Sequence, residues 1–234
     1  KQDLTGEKQG FAVRTIGLSV QAESQTRAGT LTYGLDFYRD KVDSYKDRYR
    51  ADGSFSISDI QGPVADDSRY TQADLFVENK FSLHPRWVMI PAVRFTATNA
   101  TVGQAANPSS TGDPVLSFVR HWSRVTASLR TLLFLDHRER WNVFASVGGA
   151  FRSPNLSDLS RFDIARSGEQ EVPAPDLNPE TFVAYEAGVK HLASTIGAQV
   201  AVFFTSIDNL IVRTPRGDSV DNKIAVTKKN SGKG

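Results

Sequence analysis

Apolar residues in this chain recur at every second position, stretch after stretch, and that period admits strands and almost nothing else. Ile16, Leu18, Val20 and Ala22 share one face, with Gly17, Ser19, Gln21 and Glu23 on the other. Leu31, Tyr33, Leu35 and Phe37 repeat the pattern, as do Ala73, Leu75 and Val77, although Phe76 and Asn79 interrupt it. Trp87, Met89, Val93, Phe95 and Ala97 form a fourth face, in which Pro91 is awkward because it cannot donate to a ladder. Further alternating runs centre on Val125–Leu133, Trp141–Phe151, Val183–Val189 and Ala198–Phe204, with a weaker ninth over Ile224–Lys228. No amphipathic helix is convincing.

The connections sort by length. Ser24–Gly29, His84–Arg86, Asp136–Arg140 and Ala193–Ile196 are short, and they alternate with long ones at Lys46–Arg69, Asn99–Pro114, Ser153–Glu180 and Asn209–Asn222. An up-and-down transmembrane barrel sorts its loops in this way, with tight turns on one rim and long loops on the other. Trp87 and Trp141 follow short turns and Tyr33 lies near another, where an aromatic girdle would sit. A soluble antiparallel sheet with one wet face alternates identically, so periodicity alone does not separate the two. Loop sorting and the aromatics favour the barrel.

Composition trims the remaining classes. No run of about 18 apolar residues exists, so a membrane-spanning helix is not expected. With 28 basic and 26 acidic residues the charge is too balanced to argue for nucleic acid. Cysteine is absent, which removes disulfides and Cys-based metal sites. The start KQDLTGEKQG lacks the pattern of a secretory signal, and KKNSGKG stops on turn residues, so the chain reads as a piece of a longer one.

Two segments carry a sharper signal. WNVFASVGGAFRSPNLSDL and PDLNPETFVAYEAGVK, followed by IGAQVAVFFTSIDNLIV and VTKKNSGKG, resemble in order the barrel segments of the TonB-dependent outer-membrane receptors of Gram-negative bacteria. The motif positions are Phe151, Arg152, Pro154, Asn155, Leu156, Asn178, Pro179, Glu180, Thr181, Tyr185, Glu186 and Gly188. Residues before Trp141 fit only as generic barrel strands, Ala174-Pro175 stands where Gly-Asn is frequent, and Gly148-Gly149 replaces an aromatic-rich pair.

The resemblance implies an all-β, antiparallel up-and-down transmembrane barrel of about 22 strands with a plugged lumen. Residues 1–234 would supply about nine of those strands as one partial barrel domain, without the plug. It further implies a receptor in the bacterial outer membrane that takes up a scarce ligand, a ferric siderophore first, with cobalamin or haem as alternatives. The implied partners are the TonB energy-transducing complex, a small-molecule or metal-chelate ligand, and outer-membrane lipid and lipopolysaccharide. No cofactor, resident metal or catalytic residue is implied.

Arg152, Arg161, Asp163 and Arg166, with Asp158, fall on the longest loop, where arginines could grip an anionic chelate. Salt bridges to neighbouring loops and the plug are the plainer reading, and Arg152 and Glu186 would line the wall or meet the plug. Lys46–Arg50 reads as a solvated loop base near lipopolysaccharide phosphates, Asp66-Asp67 as too few ligands for Ca²⁺, and Arg216-Gly217-Asp218 as a chance tripeptide. His84, His121, His137 and His191 form no catalytic motif, and His121 with Ser123 is the only nearby pairing on one face. A complete small barrel and a soluble β-rich binding domain remain as alternatives. A normal aromatic-ended last strand would mark the first, and purification without detergent the second.

Overall fold

A computed structural model describes residues 4–108, 112–165 and 167–232. The chain runs β1 (Leu4–Thr26), β2 (Gly29–Arg50), β3 (Phe55–Ser58), β4 (Ser68–His84), β5 (Trp87–Ala106), β6 (Val115–Phe134) and β7 (Trp141–Arg152). It continues through α1 (Leu156–Ser160), β8 (Asp163–Ile164), β9 (Gln170–Glu171), β10 (Glu180–Leu192), β11 (Gly197–Asp208), β12 (Ile211–Val220) and β13 (Lys223–Asn230).

Eight strands make one antiparallel up-and-down wall in the order β1-β2-β4-β5-β6-β7-β10-β11, with β3 paired to the far end of β2. The wall does not close on itself, and β1 and β11 are its two edges. Since every neighbour pair is antiparallel, the turns after β1, β4, β6 and β10 share one rim and the long connections share the other.

Register turns the alternation into two faces. Val20, Leu35, Leu75, Phe95 and Val125 stand in one row across five strands, all on the outer face. On β5 the outer apolar series from Trp87 to Ala97 covers roughly 25 Å of height once strand tilt is applied, the thickness of an outer-membrane apolar band. Trp87, bonded through Nε1 to Thr131 Oγ1 at 2.7 Å, and Trp141, stacked on His191 at 4.2 Å, mark the short-turn rim.

The inner face is polar and cross-linked. Arg94 reaches Asp36 at 3.2 Å and Asp74 at 3.5 Å, and Arg130 pairs with Glu78. Phe76, which breaks the sequence pattern, belongs on this face. Its ring lies against Gly34 of the paired strand, where an added Cβ would stand 2.7 Å from Phe76 Cζ, and Arg94 covers it at 4.8 Å from the centroid. Phe144 crosses Gly188 in the same way. Pro91 keeps its pairing with Leu129 of β6, while the β4–β5 ladder skips Ile90 and Pro91, as the missing N–H requires.

Several strands outrun their apolar pattern. β1 begins at Leu4 rather than near Ile16, Lys46–Arg50 lies within β2 rather than in a loop, and β5 continues to Ala106. At 23 and 22 residues, β1 and β2 are about twice the ~9–11 residues needed to span a bilayer. The reason is physical: above the lipid both faces meet water, so the ladder continues while the alternation disappears. The expected loop at Asn209–Asn222 is mostly β12, and the weak ninth strand, β13, joins β12, β9 and β8 in a separate four-stranded sheet. α1, one short turn, is the single helix among the described residues.

Candidate functional site

The long loop between β7 and β10 folds inward over the inner face at the long-loop rim. Leu156, Leu159, Ala174 and Leu177 pack with Val42, Val64, Ala65, Ala100, Val102 and Ala105, and Tyr70, Phe118 and Trp122 lean on the cluster. Polar bonds stitch the same contact. Gln61 Nε2 donates to Ser160 O at 2.9 Å, Ala65 N–H to Ser160 Oγ at 3.0 Å, and Ser153 Oγ to Thr98 Oγ1 at 3.0 Å.

The motif residues build this turn locally. Asn155 caps α1 by accepting from Asp158 N–H at 2.8 Å, and Asp158 Oδ2 accepts from Asn155 N–H at 3.2 Å, a reciprocal capping box. Pro154 is fully buried ahead of it. Asp158 is also where an ion-pair network converges. Arg152 binds Asp158 at 2.8 Å and pairs through Nε with Glu180, while Lys228 of β13 reaches Asp158 at 3.0 Å and Glu171 at 3.4 Å. Glu180, only 4% exposed, spends its other oxygen on the Ile211 N–H at 2.7 Å.

This network therefore joins β7, α1, β9, β10, β12 and β13. Burial opposes the charge on Asp158, yet Lys228, the Asn155 N–H and Arg152 together outweigh it and hold the carboxyl below its ordinary value. Asn230 completes the joint by imitating a strand: its amide accepts from Asn178 N–H and donates to Asn178 O, both at 2.8 Å.

The other loop candidates are placed differently. Arg161 lies 3.6 Å from both Asp163 and Glu171, a looser arrangement than that of Arg152. Asp163 accepts from Gln9 Nε2 of β1 at 3.2 Å. Arg166 lies outside the described residues. Glu186 stands on the inner face opposite Ser146 and Phe203, Tyr185 on the outer face beside Phe204, and Thr181 opposite Phe151.

Beside the folded loop is a hollow of about 390 Å³ lined by Phe11, Val13, Val42, Tyr70, Leu156 and Arg161, among others. Its walls are apolar and aromatic with few charges, the usual makeup of a small-molecule cleft. Reading the sequence did not single out Lys228, Glu171, Asn230 or Phe11. The first three act across 50 or more intervening residues, and no local pattern announces such pairs.

The remaining sequence candidates have local roles. Asp66 accepts from Ser44 N–H at 2.7 Å. Arg216 and Asp218 pair with each other, where β12 and β13 slip in register. His121 and Ser123 share the outer face, which the inner hollow does not reach. Among the described residues no group of three or more His, Asp or Glu is placed to hold a metal ion.

Solved structures with the same fold place these features in a larger frame. A Serratia marcescens hemophore receptor, HasR, described in complex with its hemophore HasA and heme, superposes with a TM-score of 0.72 at 18% identity, over 94% of this chain and 37% of that one. The copper transporter OprC gives 0.74 at 17% identity, over 94% and 33%. The ferric yersiniabactin uptake receptor FyuA of Yersinia pestis gives 0.64 at 14% identity, over 97% and 32%. The chain thus spans about a third of the length of these proteins. No curated protein matches its sequence. Residues 3–233 match the family described as TonB dependent receptor-like, beta-barrel. The chain belongs to the TonB-dependent receptor β-barrel family, whose members are outer-membrane proteins of Gram-negative bacteria.

Proposed function

We propose that this chain forms one stretch of barrel wall, with its rim loops, in a full-length receptor that takes up a scarce ligand through the TonB energy-transducing complex. The ligand proposed is a ferric siderophore, ahead of haem or cobalamin. The observation that carries the reading is the inward-folded loop, which sets an apolar hollow of about 390 Å³ and the Arg161 guanidinium side by side at the inner rim. A ferric chelate is an anion with an apolar periphery, and those two features match it. The similar receptors described for heme and for ferric yersiniabactin support the class of cargo.

The residues divide the work. Arg152, Glu180, Asp158 and Lys228 satisfy one another and hold the loop, whereas Arg161 keeps only long pairs and is the cation offered to ligand. Asp163 orients it, and Arg166 is proposed to add a second positive charge. Nothing here is asked to make or break a covalent bond.

The test uses the full-length receptor in detergent and in cells. Arg161→Gln is expected to weaken ferric-chelate binding roughly tenfold, the value of one charge-assisted hydrogen bond. Uptake of labelled iron should stop when the TonB complex is disabled. Uptake that continues without TonB, or a receptor that ignores ferric chelates and binds haem or cobalamin at full strength, would overturn the proposal or its choice of ligand respectively.

A further inference from the structure

Inner-face acids along β2 and β4 are matched by bases. Asp36 and Asp74 share Arg94, at 3.2 and 3.5 Å, and Glu78 pairs with Arg130. Asp40, farther along β2 on the same face, is the exception. Register sets it between Thr15 of β1 and Tyr70 of β4. Thr15 Oγ1 donates to Asp40 Oδ1 at 2.6 Å, and among the described residues no cation pairs with the carboxylate. Its sequence neighbours Arg39 and Lys41 alternate to the outer face, where Lys41 is taken by Asp43 and Asp67.

Asp40 is half-buried and lines the hollow of about 390 Å³ described above, together with Phe11, Val13, Val42, Tyr70 and Arg161. One cavity therefore holds a carboxylate and a guanidinium that do not pair with each other; the ion pairs of Arg161 are with Asp163 and Glu171, both at 3.6 Å. A carboxylate partly withdrawn from water among apolar walls gains most from a cation that enters with a ligand. Aromatic rings in the same walls favour a cation as well.

We propose that Asp40 is an ammonium subsite: the ligand carries a protonated amine on an apolar arm, and that arm enters the hollow beside Phe11 and Tyr70 while an anionic part of the ligand meets Arg161. The subsite rests on the uptake reading above and narrows its cargo to a chelate of mixed charge. A volume of about 390 Å³ lies at the small end of ligand pockets, which suits one arm of a chelate rather than all of it. With Oδ1 engaged by Thr15, the free oxygen suits a compact ammonium better than a forked guanidinium. One carboxylate and one hydroxyl are too few oxygens to hold a hard metal cation. Haem, whose charged arms are carboxylates, has nothing to offer Asp40.

The experiment titrates the full-length receptor, in a neutral detergent, with two synthetic probes. One is a ferric tris-catecholate bearing a single primary amine on an alkyl arm, and the other is the same chelate with that amine acetylated. The native receptor is expected to bind the amine form roughly tenfold more tightly, the size of one charge-assisted hydrogen bond. Asp40→Asn should remove the preference and leave the acetylated chelate bound as before, because the amide oxygen still accepts from Thr15. Asp40→Glu, which keeps the charge, should retain a preference, and Arg161→Gln should weaken both chelates alike. Equal binding of the two chelates by the native receptor would overturn the subsite, and that arm needs no variant to fold. A preference that survives in Asp40→Asn would overturn it too.

A second probe separates the subsite from the uptake reading. Benzylammonium and benzyl alcohol are compared by saturation-transfer NMR on the native receptor and on Asp40→Asn in the same detergent, so that uptake by the micelle cancels. Benzylammonium should show transfer that depends on Asp40, and benzyl alcohol none. A receptor that binds neither chelate yet holds benzylammonium through Asp40 would sink the uptake reading and leave the subsite standing. Chelates bound without regard to the amine, with benzylammonium indifferent to Asp40, would do the reverse.

Discussion

The wall and the cap over its rim store their apolar residues in opposite places. In the wall, Leu75 is 58% exposed and Val202 71%, because the outer face is meant for lipid. In the cap, Leu159 is 0% exposed, sealed between α1 and the inner face beside Val102 and Ala100. The wall is held by continuous backbone ladders that need no interior of their own, whereas the cap is a small water-side core with an ion-pair network as its clasp. One chain thus obeys two solvents, and a substitution should act according to the solvent its site was built for.

The largest effect is expected at Leu159. Leu159→Ala opens a cavity in the cap and should cost about 2–5 kcal/mol, seen as lost hydrogen-exchange protection in α1 and β13 of the full-length receptor. Protection of β4 and β5 within the band should be unchanged; if the band loosens equally, cap and wall are one cooperative unit and the comparison fails. Val93→Arg tests the other solvent. A guanidinium at Val93, near the middle of the outer band on β5, should cost about 2–4 kcal/mol, read as a lower urea midpoint for the barrel refolded in lipid. The same substitution should be far milder at Thr71, two outward steps beyond Leu75 toward the long-loop end of β4.

A third expectation concerns inner-face packing. A Cβ at Gly188 would press on the Phe144 ring and stand 2.5 Å from Val200 O. Gly188→Ala should therefore cost about 1–3 kcal/mol as an overpacked contact. In a Phe144→Ala background the cost should shrink, and a double-mutant cycle measures the coupling. Additive losses would mean that the ring is not what excludes a side chain there.

How much of this was legible depends on which solvent a segment meets. Outer-face alternation at Ile16–Ala22, Leu31–Phe37 and Val183–Val189 marks strands because lipid demands an apolar side chain at every second position. Trp87 and Trp141 at the rim, the sorted loops and the FRSPNLSDL segment were readable for the same reason, each being a local pattern. Leu4–Thr15 and Ile211–Val220 form strands with no such alternation, since water wets both faces and only the partner strand specifies them. Phe76 breaks the period in sequence, and only Gly34 on the paired strand accounts for it. Within the candidate site, Arg152 and Arg161 were visible as loop arginines. What distinguishes a clasp from an open cation is Lys228, Glu171 and Glu180, and only the fold brings them together.

The smallest expected effect is a pH dependence, and it separates the two regions by charge rather than packing. Asp158 is held below its ordinary value of 3.8 in the folded cap. A carboxyl depressed by folding contributes stability that is fully present above its unfolded value and is lost as pH falls through its folded one. Cap protection should accordingly stay level from neutrality down to about pH 4 and decline below that, as Arg152 and Lys228 lose their shared anion. Asp158→Asn should weaken the cap at neutral pH and flatten that decline, because the titrating group is gone while its partners remain. Hydrogen exchange at α1 and β13, followed from pH 7 to pH 3 in the full-length receptor, checks both halves of this statement. A decline of equal steepness in Asp158→Asn would move the titration to Glu180, whose carboxyl burial opposes but Arg152 and the Ile211 N–H hold below its ordinary value.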